Sequence, residues 1–234
     1  MHRPIHKAMF LRENSYWWDI SRREIVKQAV NKNKLTAKSK ILDAGCGEGT
    51  MLSFLQSKFP NSFGIDNSVY ALEFCKKRGL SNLKLANLEK KIPFKNNFFN
   101  AIVCLEVIEH TNNDNNVVKE FYRVLKQGGK LFLTVPAYNF LWSKHDESIA
   151  HKRRYDRGQL KILLFQNDFK VITASYFFSF LLLPAIFIHP KKETAAVNKL
   201  ISSFLLALCS LERQILNYFS LPFGISIIVV AQKI

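Results

Sequence analysis

A cluster of glycines between an apolar run and an amphipathic segment constrains this chain more than any other feature. Three of its nine glycines, Gly45, Gly47 and Gly49, fall within five residues, directly after the short apolar run that begins at Ile41. A strand that turns sharply into a helix needs residues with positive φ, and a ligand close to the backbone leaves no room for side chains. Glycine meets both demands, so this stretch predicts a nucleotide-type loop between a strand and a helix.

The spacing of these glycines departs from the dinucleotide fingerprint GxGxxG. The third glycine comes one residue early and Thr50 stands in its expected place, which weakens the case for a nicotinamide cofactor. The motif LDAGCGEG at residues 42–49 instead resembles the first motif of the class I S-adenosylmethionine-dependent methyltransferases. The resemblance implies S-adenosylmethionine as the cofactor and assigns four residues to its binding loop, namely Asp43, Ala44, Gly45 and Gly47.

The resemblance continues downstream at matching distances. Asp66 ends a second apolar run, about twenty residues after the first glycine, where folds of this kind hydrogen-bond a ribose diol. Capping of the helix that begins near Ser68 is an alternative role for this carboxylate, and the two roles are compatible. The resemblance also places five further residues beside the cofactor: Asn67, Asn87, Leu88, Leu105 and Glu106.

Two positions depart from the family's usual pattern. Members of the family commonly carry Asp where this chain has Asn87 and Asn100, so both departures remove a negative charge. The amide oxygen of Asn87 can still accept a hydrogen bond from the adenine amino group, although a neutral acceptor is weaker than an ionised one. Leu105 and Glu106 end the fourth apolar run, and solvated acids at a strand end are the alternative interpretation of that segment.

Length, composition and the alternation of elements predict a single α/β domain. With 234 residues, 48% of them hydrophobic, the chain can bury one sizeable core without a second domain. Short apolar runs alternate with amphipathic segments, which indicates βαβ units, a parallel sheet and helices on both faces. The predicted strands begin at Ile41 and continue at residues 62–66, 82–86, 98–105, 130–135, 169–176 and 225–231, with helices at 48–58, 69–78, 115–126 and 157–166.

The resembled fold is a Rossmann-like, seven-stranded, mostly parallel sheet whose last strand is antiparallel and inserts between its predecessors. Residues 39–176 would form the cofactor-binding core and residues 223–234 the closing strand. Residues 1–38 would supply a linker and a lid helix, in which the aromatic residues 16–18 cover the cofactor. Packing of the tryptophan pair in the core is the alternative. Residues 177–222 would be an apolar helical insertion before the last strand.

The insertion contains two apolar runs, residues 176–188 and 200–211, separated by the basic pair Lys191 and Lys192. Each run is shorter than the roughly twenty apolar residues that a transmembrane helix needs, and Pro184 interrupts the first. The net charge of +16 makes an anionic membrane surface a candidate partner. A cap that buries its apolar face on the enzyme's own core is the alternative.

The cysteines and the start of the chain bear on the cellular compartment. Cys46, Cys75, Cys104 and Cys209 have no CxxC spacing, and the first residues contain no apolar signal core. We therefore expect a cytoplasmic protein with reduced thiols, peripherally associated with the membrane if the insertion docks there.

A long polar loop follows the fifth predicted strand. Residues 135–155 match the pattern VPAYxxLWSxHDxxxxHKRRY, which resembles a group of bacterial methyltransferases of poorly defined substrate. Ligands in open α/β sheets lie beyond the carboxyl ends of strands, so this loop can overhang the methyl donor. The candidate bases for an oxygen acceptor are His145 and His151, with Asp146 to orient one ring.

The same loop carries candidates for binding an anionic substrate. Arg153 and Arg154 could hold a phosphate or carboxylate with bidentate geometry. A salt-bridged loop scaffold is the alternative role of these side chains. A metal is not predicted, because no cysteine or third histidine falls at ligand spacing around His145 and His151.

The sequence thus predicts a methyltransferase for a small-molecule or lipid-like acceptor, such as a quinone or a lipid-linked saccharide, with O-methylation assisted by a histidine base. Two other classes stay open. A basic protein could methylate nucleic acid, but the chain has no NPPY-like or Pro-Cys pair and no dense basic stripe interleaved with aromatic residues, so nucleic acid is disfavoured. A membrane-associated cofactor-binding protein without activity is the third class, supported by Asn87 and Asn100.

Overall fold

A seven-stranded sheet forms the centre of the residues that the computed structural model describes, which are 7, 10–11, 15–187 and 198–234. The spatial order of the strands is β3-β2-β1-β4-β5-β7-β6. The strands in chain order are β1 (Ile41–Ala44), β2 (Ser62–Asp66), β3 (Leu83–Leu85), β4 (Phe99–Leu105), β5 (Leu125–Pro136), β6 (Phe169–Phe177) and β7 (Ser226–Lys233).

The first five strands are parallel neighbours, and the last strand runs the other way. β7 pairs antiparallel with β5 and with β6, so it lies between two strands that precede it in the chain. The predicted Rossmann-like arrangement with an inserted antiparallel last strand is therefore confirmed. Because the first five strands share one direction, their carboxyl ends lie along one edge, where ligands bind in folds of this kind.

Helices cover both faces of the sheet. In chain order they are α1 (Trp17–Lys32), α2 (Thr50–Lys58), α3 (Val69–Lys77), α4 (Asp114–Val124), α5 (Lys144–Ser148), α6 (Arg157–Phe165), α7 (Leu182–Phe187) and α8 (Lys199–Ile215), with short 3₁₀ turns at Ile108–His110, Asn139–Leu141 and Ser179–Leu181.

Neighbouring residues of one strand pack into different cores, because successive side chains of a strand point to opposite faces. In β4, Ile102 is buried with Phe121 of α4, whereas Val103 is buried with Val26 of α1. Both faces of β4 are therefore covered, which is why residues 101–105 form a continuous apolar run and not an alternating one.

The start of β5 differs from the prediction. The strand predicted over 130–135 already begins at Leu125, before the glycine pair at 128–129. Its pairing with β4 shifts between Phe99 and Ala101, and Gly128 has a φ of +74°. The two glycines thus form an irregularity within the strand and not a separate turn, which local residue preferences do not distinguish.

The segment between β6 and β7 is anchored to the body of the protein through α8. The buried carboxylate of Glu212 accepts hydrogen bonds of 2.7 Å from the backbone amides of Phe178 and Ser179, which follow β6. On the other side, Arg213 lies 3.2 Å from the Glu24 carboxylate of α1. Within the described ranges, no helix combines the length and the apolar character needed to cross a bilayer. Lys191 and Lys192 lie outside those ranges.

Candidate active site

The glycine loop after β1 adopts the backbone that its sequence predicts. Gly45, Gly47 and Gly49 have φ values of +77°, +51° and +87°. A Cβ atom at Gly45 would lie 2.5 Å from Val107 Cγ2, whereas a Cβ at Gly47 would meet nothing within 4 Å. Gly45 is therefore required by close packing, and Gly47 faces open space beside the loop.

Asp43 lies at the end of β1, directly below this loop. Its side chain is buried, and its Oδ2 has no hydrogen-bond donor among the described residues. Burial, reinforced by the negative charge of Asp66, raises the pKa of the Asp43 carboxyl to about 8. The backbone amide of Leu52 in the first turn of α2 opposes this shift. Ala44, the next residue, is fully buried in the core.

Asp66 ends β2 and holds the glycine loop in place. Its Oδ2 accepts a hydrogen bond of 3.0 Å from the Gly47 amide, and its Oδ1 accepts one of 2.8 Å from the Ser68 amide. The helix cap itself is Ser68, whose Oγ lies 3.4 Å from the amide nitrogen of Ala71. Asp66 is therefore not the N-cap itself. It supports the capping residue by accepting a hydrogen bond from the Ser68 amide. Asn67 is exposed beside it.

After β3, the side-chain amide of Asn87 and the backbone of Leu88 lie at the carboxyl edge of the sheet. Asn87 is exposed, and its Oδ1 accepts a hydrogen bond of 2.8 Å from the Glu89 amide. The side chain of Leu88 is buried in the core, so a cofactor would meet its backbone. Asn100 lies near the start of β4, where its Oδ1 accepts from the Lys40 amide at 3.0 Å. It is therefore remote from the carboxyl edge, and its neutral side chain has a structural role there.

The segment after β4 brings two carboxylates to the carboxyl edge. Leu105 packs against the second core cluster, and Glu106 follows with a φ of +53°. Glu106 Oε2 lies 3.8 Å from the guanidinium of Arg22 in α1. Glu109 is fully buried, and neither of its oxygens has a hydrogen-bond donor within the described part of the chain. Burial and the charge of Glu106 raise the pKa of the Glu109 carboxyl well above its usual range.

The long loop after β5 is pinned across this edge by backbone hydrogen bonds. The Tyr138 amide donates to the Tyr155 carbonyl at 2.9 Å, and the Lys152 amide donates to the Glu109 carbonyl at 2.8 Å. The Tyr155 hydroxyl donates to Asp114 at 2.8 Å. These contacts lock the second half of the loop beside the turn that carries Glu109.

Asp146 is the centre of a charged network inside that loop. Its Oδ1 lies 2.8 Å from His151 Nδ1, and Arg154 donates from Nε and Nη2 to its two oxygens at 2.8 and 3.0 Å. Burial alone would raise the pKa of this carboxyl, but the hydrogen bonds from His151, Arg154 and Ser143 outweigh it and hold the pKa well below its usual range. An ionised Asp146 accepts, so Nδ1 of His151 carries the proton.

The two arginines predicted to hold a substrate anion bind the protein itself. Arg154 donates to Asp146 and, through Nη1, to the Ala137 carbonyl at 3.1 Å. Arg153 lies 3.0 Å from Asp114 and donates to the carbonyls of Thr111 and Asn112 at the same distance. Both side chains therefore form part of a salt-bridged scaffold, in which the loop meets the segment after β4.

The tryptophan pair of the predicted lid helix packs in the core. Trp17 of α1 is buried in the second core, and the ring centroid of Trp18 lies 4.5 Å from that of Phe178, which follows β6. Both indoles therefore pack against the element from which the insertion departs. Sequence alone could not show this, since Phe178 is remote in the chain. α1 contributes Arg22 to the carboxyl edge of the sheet.

Glu109 and His110, at the carboxyl edge of the sheet, were not predicted as site residues. His110 follows Glu109, and its ring centroid lies 4.6 Å from that of His151. Burial and the neighbouring His151 lower the pKa of His110 to about 4, so its imidazole is neutral at physiological pH. Glu109 Oε1 lies 3.8 Å from His151 Nε2. The run of two acids and a histidine at a strand end was the signal available in the sequence.

The fold brings together three potential ligand residues that spacing within the loop does not. Ligand atoms of Glu109, His110 and His151 lie within 4.8 Å of one another. His145, the other predicted base, lies half-buried in α5 and is not part of this group.

Comparison with known proteins agrees with the fold and with the glycine loop. Residues 42–133 match the family model of a methyltransferase domain. A ubiquinone biosynthesis O-methyltransferase of Dechloromonas aromatica is 30% identical over 106 residues, which cover 42% of this chain and 44% of that protein. The chain spans about half the length of these curated relatives.

Solved structures share the fold over almost the whole chain. A chain of the complex between the Trm112 methyltransferase activator and a methyltransferase of Haloferax volcanii has a TM-score of 0.66 at 15% identity, covering 98% of this chain and 93% of that one. An S-adenosylmethionine-dependent methyltransferase of Archaeoglobus fulgidus has a TM-score of 0.60 at 20% identity, covering 90% and 94%. With the glycine loop and the inserted antiparallel strand, these matches show that residues 42–133 form a methyltransferase domain and that the chain has the fold of S-adenosylmethionine-dependent methyltransferases.

Proposed function

We propose that this protein methylates a hydroxyl oxygen of a small, lipid-like molecule. The observation that carries the proposal is the pair formed by Asp146 and His151 at the carboxyl edge of the sheet. His151 lies 3.8 Å from Glu109, and Val107 of the same turn packs against Gly45 of the glycine loop. A group able to activate an oxygen acceptor therefore lies next to the loop that would hold the methyl donor.

The residues at this edge fit S-adenosylmethionine. Gly47 leaves open space beside the loop, Asp66 retains lone pairs for a ribose diol, and Glu106 has an Oε1 with no donor among the residues described. The cofactor supplies a methyl group that is already activated on a sulfonium. The protein's task is to hold the acceptor in line with that methyl group and to exclude water.

An oxygen acceptor must also lose its proton. Of the two histidines predicted as bases, His151 has the better supporting contacts, because Asp146 fixes the proton on Nδ1 and leaves the lone pair of Nε2 at the site.

The relatives support an oxygen acceptor of small size. Ubiquinone biosynthesis O-methyltransferases match this chain at 25–30% identity over about half their length. Candidate acceptors are therefore the phenolic hydroxyl of a quinone precursor or a hydroxyl of a lipid-linked saccharide. Their apolar tails would suit the exposed apolar side chains of the insertion.

Labelled S-adenosylmethionine incubated with a total lipid and metabolite extract would test this function. We expect label in a product that is stable to base, as an ether is, and much less label with His151→Asn than with His145→Asn. Label in nucleic acid, or equal loss in both variants, would contradict the proposal. Calorimetry provides the control, since a protein that does not bind millimolar S-adenosylmethionine would not be a methyltransferase at all.

We also propose that the insertion docks on an anionic membrane surface at its cytoplasmic face. Large apolar side chains recur on one side of α8 and just after it, and they are exposed: Leu200, Phe204, Leu211, Ile215 and Tyr218. They follow one another at intervals of four, seven, four and three residues, which keeps them on a single helical face. A protein of net charge +16 would add electrostatic attraction. Sedimentation with anionic vesicles at low salt tests this, and protein that stays in the supernatant would refute it.

A further inference from the structure

Three side chains from two distant segments converge at the carboxyl edge of the sheet. Glu109 and His110 belong to the turn after β4, and His151 belongs to the loop after β5; their ligand atoms all lie within 4.8 Å of one another. The 2.8 Å hydrogen bond from the Lys152 amide to the Glu109 carbonyl joins the two segments beside the cluster. The cluster is therefore held together by the backbone and does not depend on mobile side chains of a surface.

Glu109 lacks the partners that a buried carboxylate needs. It is fully buried, and both of its oxygens are without a hydrogen-bond donor within the described ranges. His151 Nε2, at 3.8 Å, is beyond hydrogen-bond distance. Burying a charged group without a partner costs roughly several kcal/mol, so such a carboxyl group is held protonated, is paired or binds a cation. Glu106, whose negative charge acts on Glu109, increases the need for positive charge here.

Both histidines are oriented as metal ligands usually are. A metal-bound histidine typically donates its other ring N–H to a carboxylate or to a backbone carbonyl. His151 has its Nδ1 2.8 Å from Asp146, which Arg154 and Ser143 hold in turn. His110 has its Nδ1 3.4 Å from the Ala150 carbonyl. Nε2 of each ring is thereby left for a ligand.

We propose that Glu109, His110 and His151 bind a divalent transition-metal ion. Two imidazoles and one carboxylate are a ligand set that suits zinc, manganese or cobalt, and three protein ligands leave positions open for a further oxygen. Magnesium, which prefers oxygen ligands alone, fits less well. The site goes beyond the proposed function because ion binding requires no methyl transfer.

The consequence for catalysis rests on the proposed function. An ion bound here would attract the acceptor oxygen and lower the pKa of its hydroxyl, whose proton would pass to solvent water. In the metal-bound protein His151 would be a ligand. It would act as a base only in the metal-free protein.

Cobalt(II) is the probe for this site, because its visible absorption reports coordination by nitrogen and oxygen ligands. We expect the full chain, stripped of metal with a chelator, to bind one equivalent of cobalt with a change in this absorption. We expect Glu109→Gln and His110→Gln each to weaken binding at least about tenfold, as loss of even a supporting contact does. Glu147→Gln and His145→Gln, in the same loop but outside the cluster, are the matched controls.

No cobalt spectrum beyond that of the free ion, or equal binding by the Glu109 and His110 variants and the controls, would overturn the proposal. If Glu109→Gln does not fold, His110→Gln gives the answer, since that side chain is half-buried. Calorimetry with S-adenosylmethionine on the same samples separates the two proposals. Cofactor binding without cobalt binding would refute the metal site alone, and cobalt binding without cofactor binding would refute the methyltransferase function alone.

Discussion

His151 Nδ1 lies 2.8 Å from Asp146 Oδ1, and this contact decides which ring nitrogen is available for chemistry. Arg154 holds the same carboxylate through two hydrogen bonds, so Asp146 stays ionised and accepts the Nδ1 proton. Nε2 is left at the carboxyl edge of the sheet, beside Glu109. The orientation of one imidazole thus depends on an arginine that the sequence suggested as a substrate ligand.

We expect Asp146→Asn to lower the free energy of unfolding by about 3 kcal/mol, because it leaves the largely buried guanidinium of Arg154 without its counter-charge. Urea denaturation measures this. The control is Glu147→Gln, an exposed acid one residue away, which should change stability by no more than about 0.5 kcal/mol. Similar effects of the two substitutions would show that the Asp146 network adds little to stability.

Asp43 should make stability depend on pH in a direction opposite to that of an ordinary carboxylate. Its pKa is raised from 3.8 to about 8 in the folded protein, so between these values the folded state binds more protons than the unfolded state. This contribution therefore reduces stability as pH rises through that window, by up to about 1.4 kcal/mol per pH unit. Asp43→Asn cannot titrate. Relative to wild type it should gain stability from pH 5 to pH 8 in thermal unfolding, and parallel pH profiles would contradict the assignment.

Gly47→Ala tests whether the open space beside the glycine loop holds the cofactor. Any residue with a Cβ atom is strained at the φ of +51° that Gly47 adopts, so the substitution should lower stability by about 1–2 kcal/mol. The new methyl group would meet no atom within 4 Å. We expect a clear loss of affinity for S-adenosylmethionine in calorimetry. Gly128→Ala is the control, because Gly128 has a φ of +74° but lies at the opposite edge of the sheet. It should show the same loss of stability with unchanged cofactor affinity.

Glu212 should be the main anchor of the insertion. Glu212→Ala removes the acceptor of three hydrogen bonds, from the Phe178 amide and from the amide and hydroxyl of Ser179. Leaving these donors without partners should cost about 3 kcal/mol and make α8 more sensitive to limited proteolysis. Gln214→Ala, an exposed position of the same helix, should change neither. Unaltered proteolysis of Glu212→Ala would mean that contacts with α1 suffice to hold α8.

The apolar face of α8 should determine binding to anionic vesicles. Phe204 is 62% exposed and Leu211 57%. Burying one such side chain is worth about 1.5–3 kcal/mol, so Phe204→Asp combined with Leu211→Asp should weaken vesicle binding at least about tenfold. A double variant can also lose binding through charge alone. Ser203→Asp introduces a negative charge on the same helix, and an equal loss in that control would point to electrostatics in place of apolar insertion.

Local patterns predicted most of the fold. β1, β2 and the glycine loop lie where their apolar runs and glycines indicate, because strand and turn conformations follow from neighbouring residues. The predictions were weaker where two conformations suit the same residues. Gly128 could turn the chain or interrupt a strand, and only the pairing of β5 with β4 selects the second.

The candidate site was predicted only in part, because it is assembled from segments remote in sequence. Asp146 and His151 share a loop, so their pairing could be anticipated from that loop. His110 is also a partner of His151, but no spacing relates the turn after β4 to the loop after β5. The roles of Trp18 and Arg154 were likewise set by residues that reach them only in the folded chain.

The sequence by itself determined the α/β architecture, the edge at which ligands bind and the loop that would hold the methyl donor. Those properties arise from residue periodicity and from the positive φ values that glycine permits. Only the tertiary structure decided that Glu109, His110 and His151 form one cluster and that Arg154 serves Asp146. The physical reason is that burial removes water as a partner, so each charged group must bind whichever groups the fold brings near it.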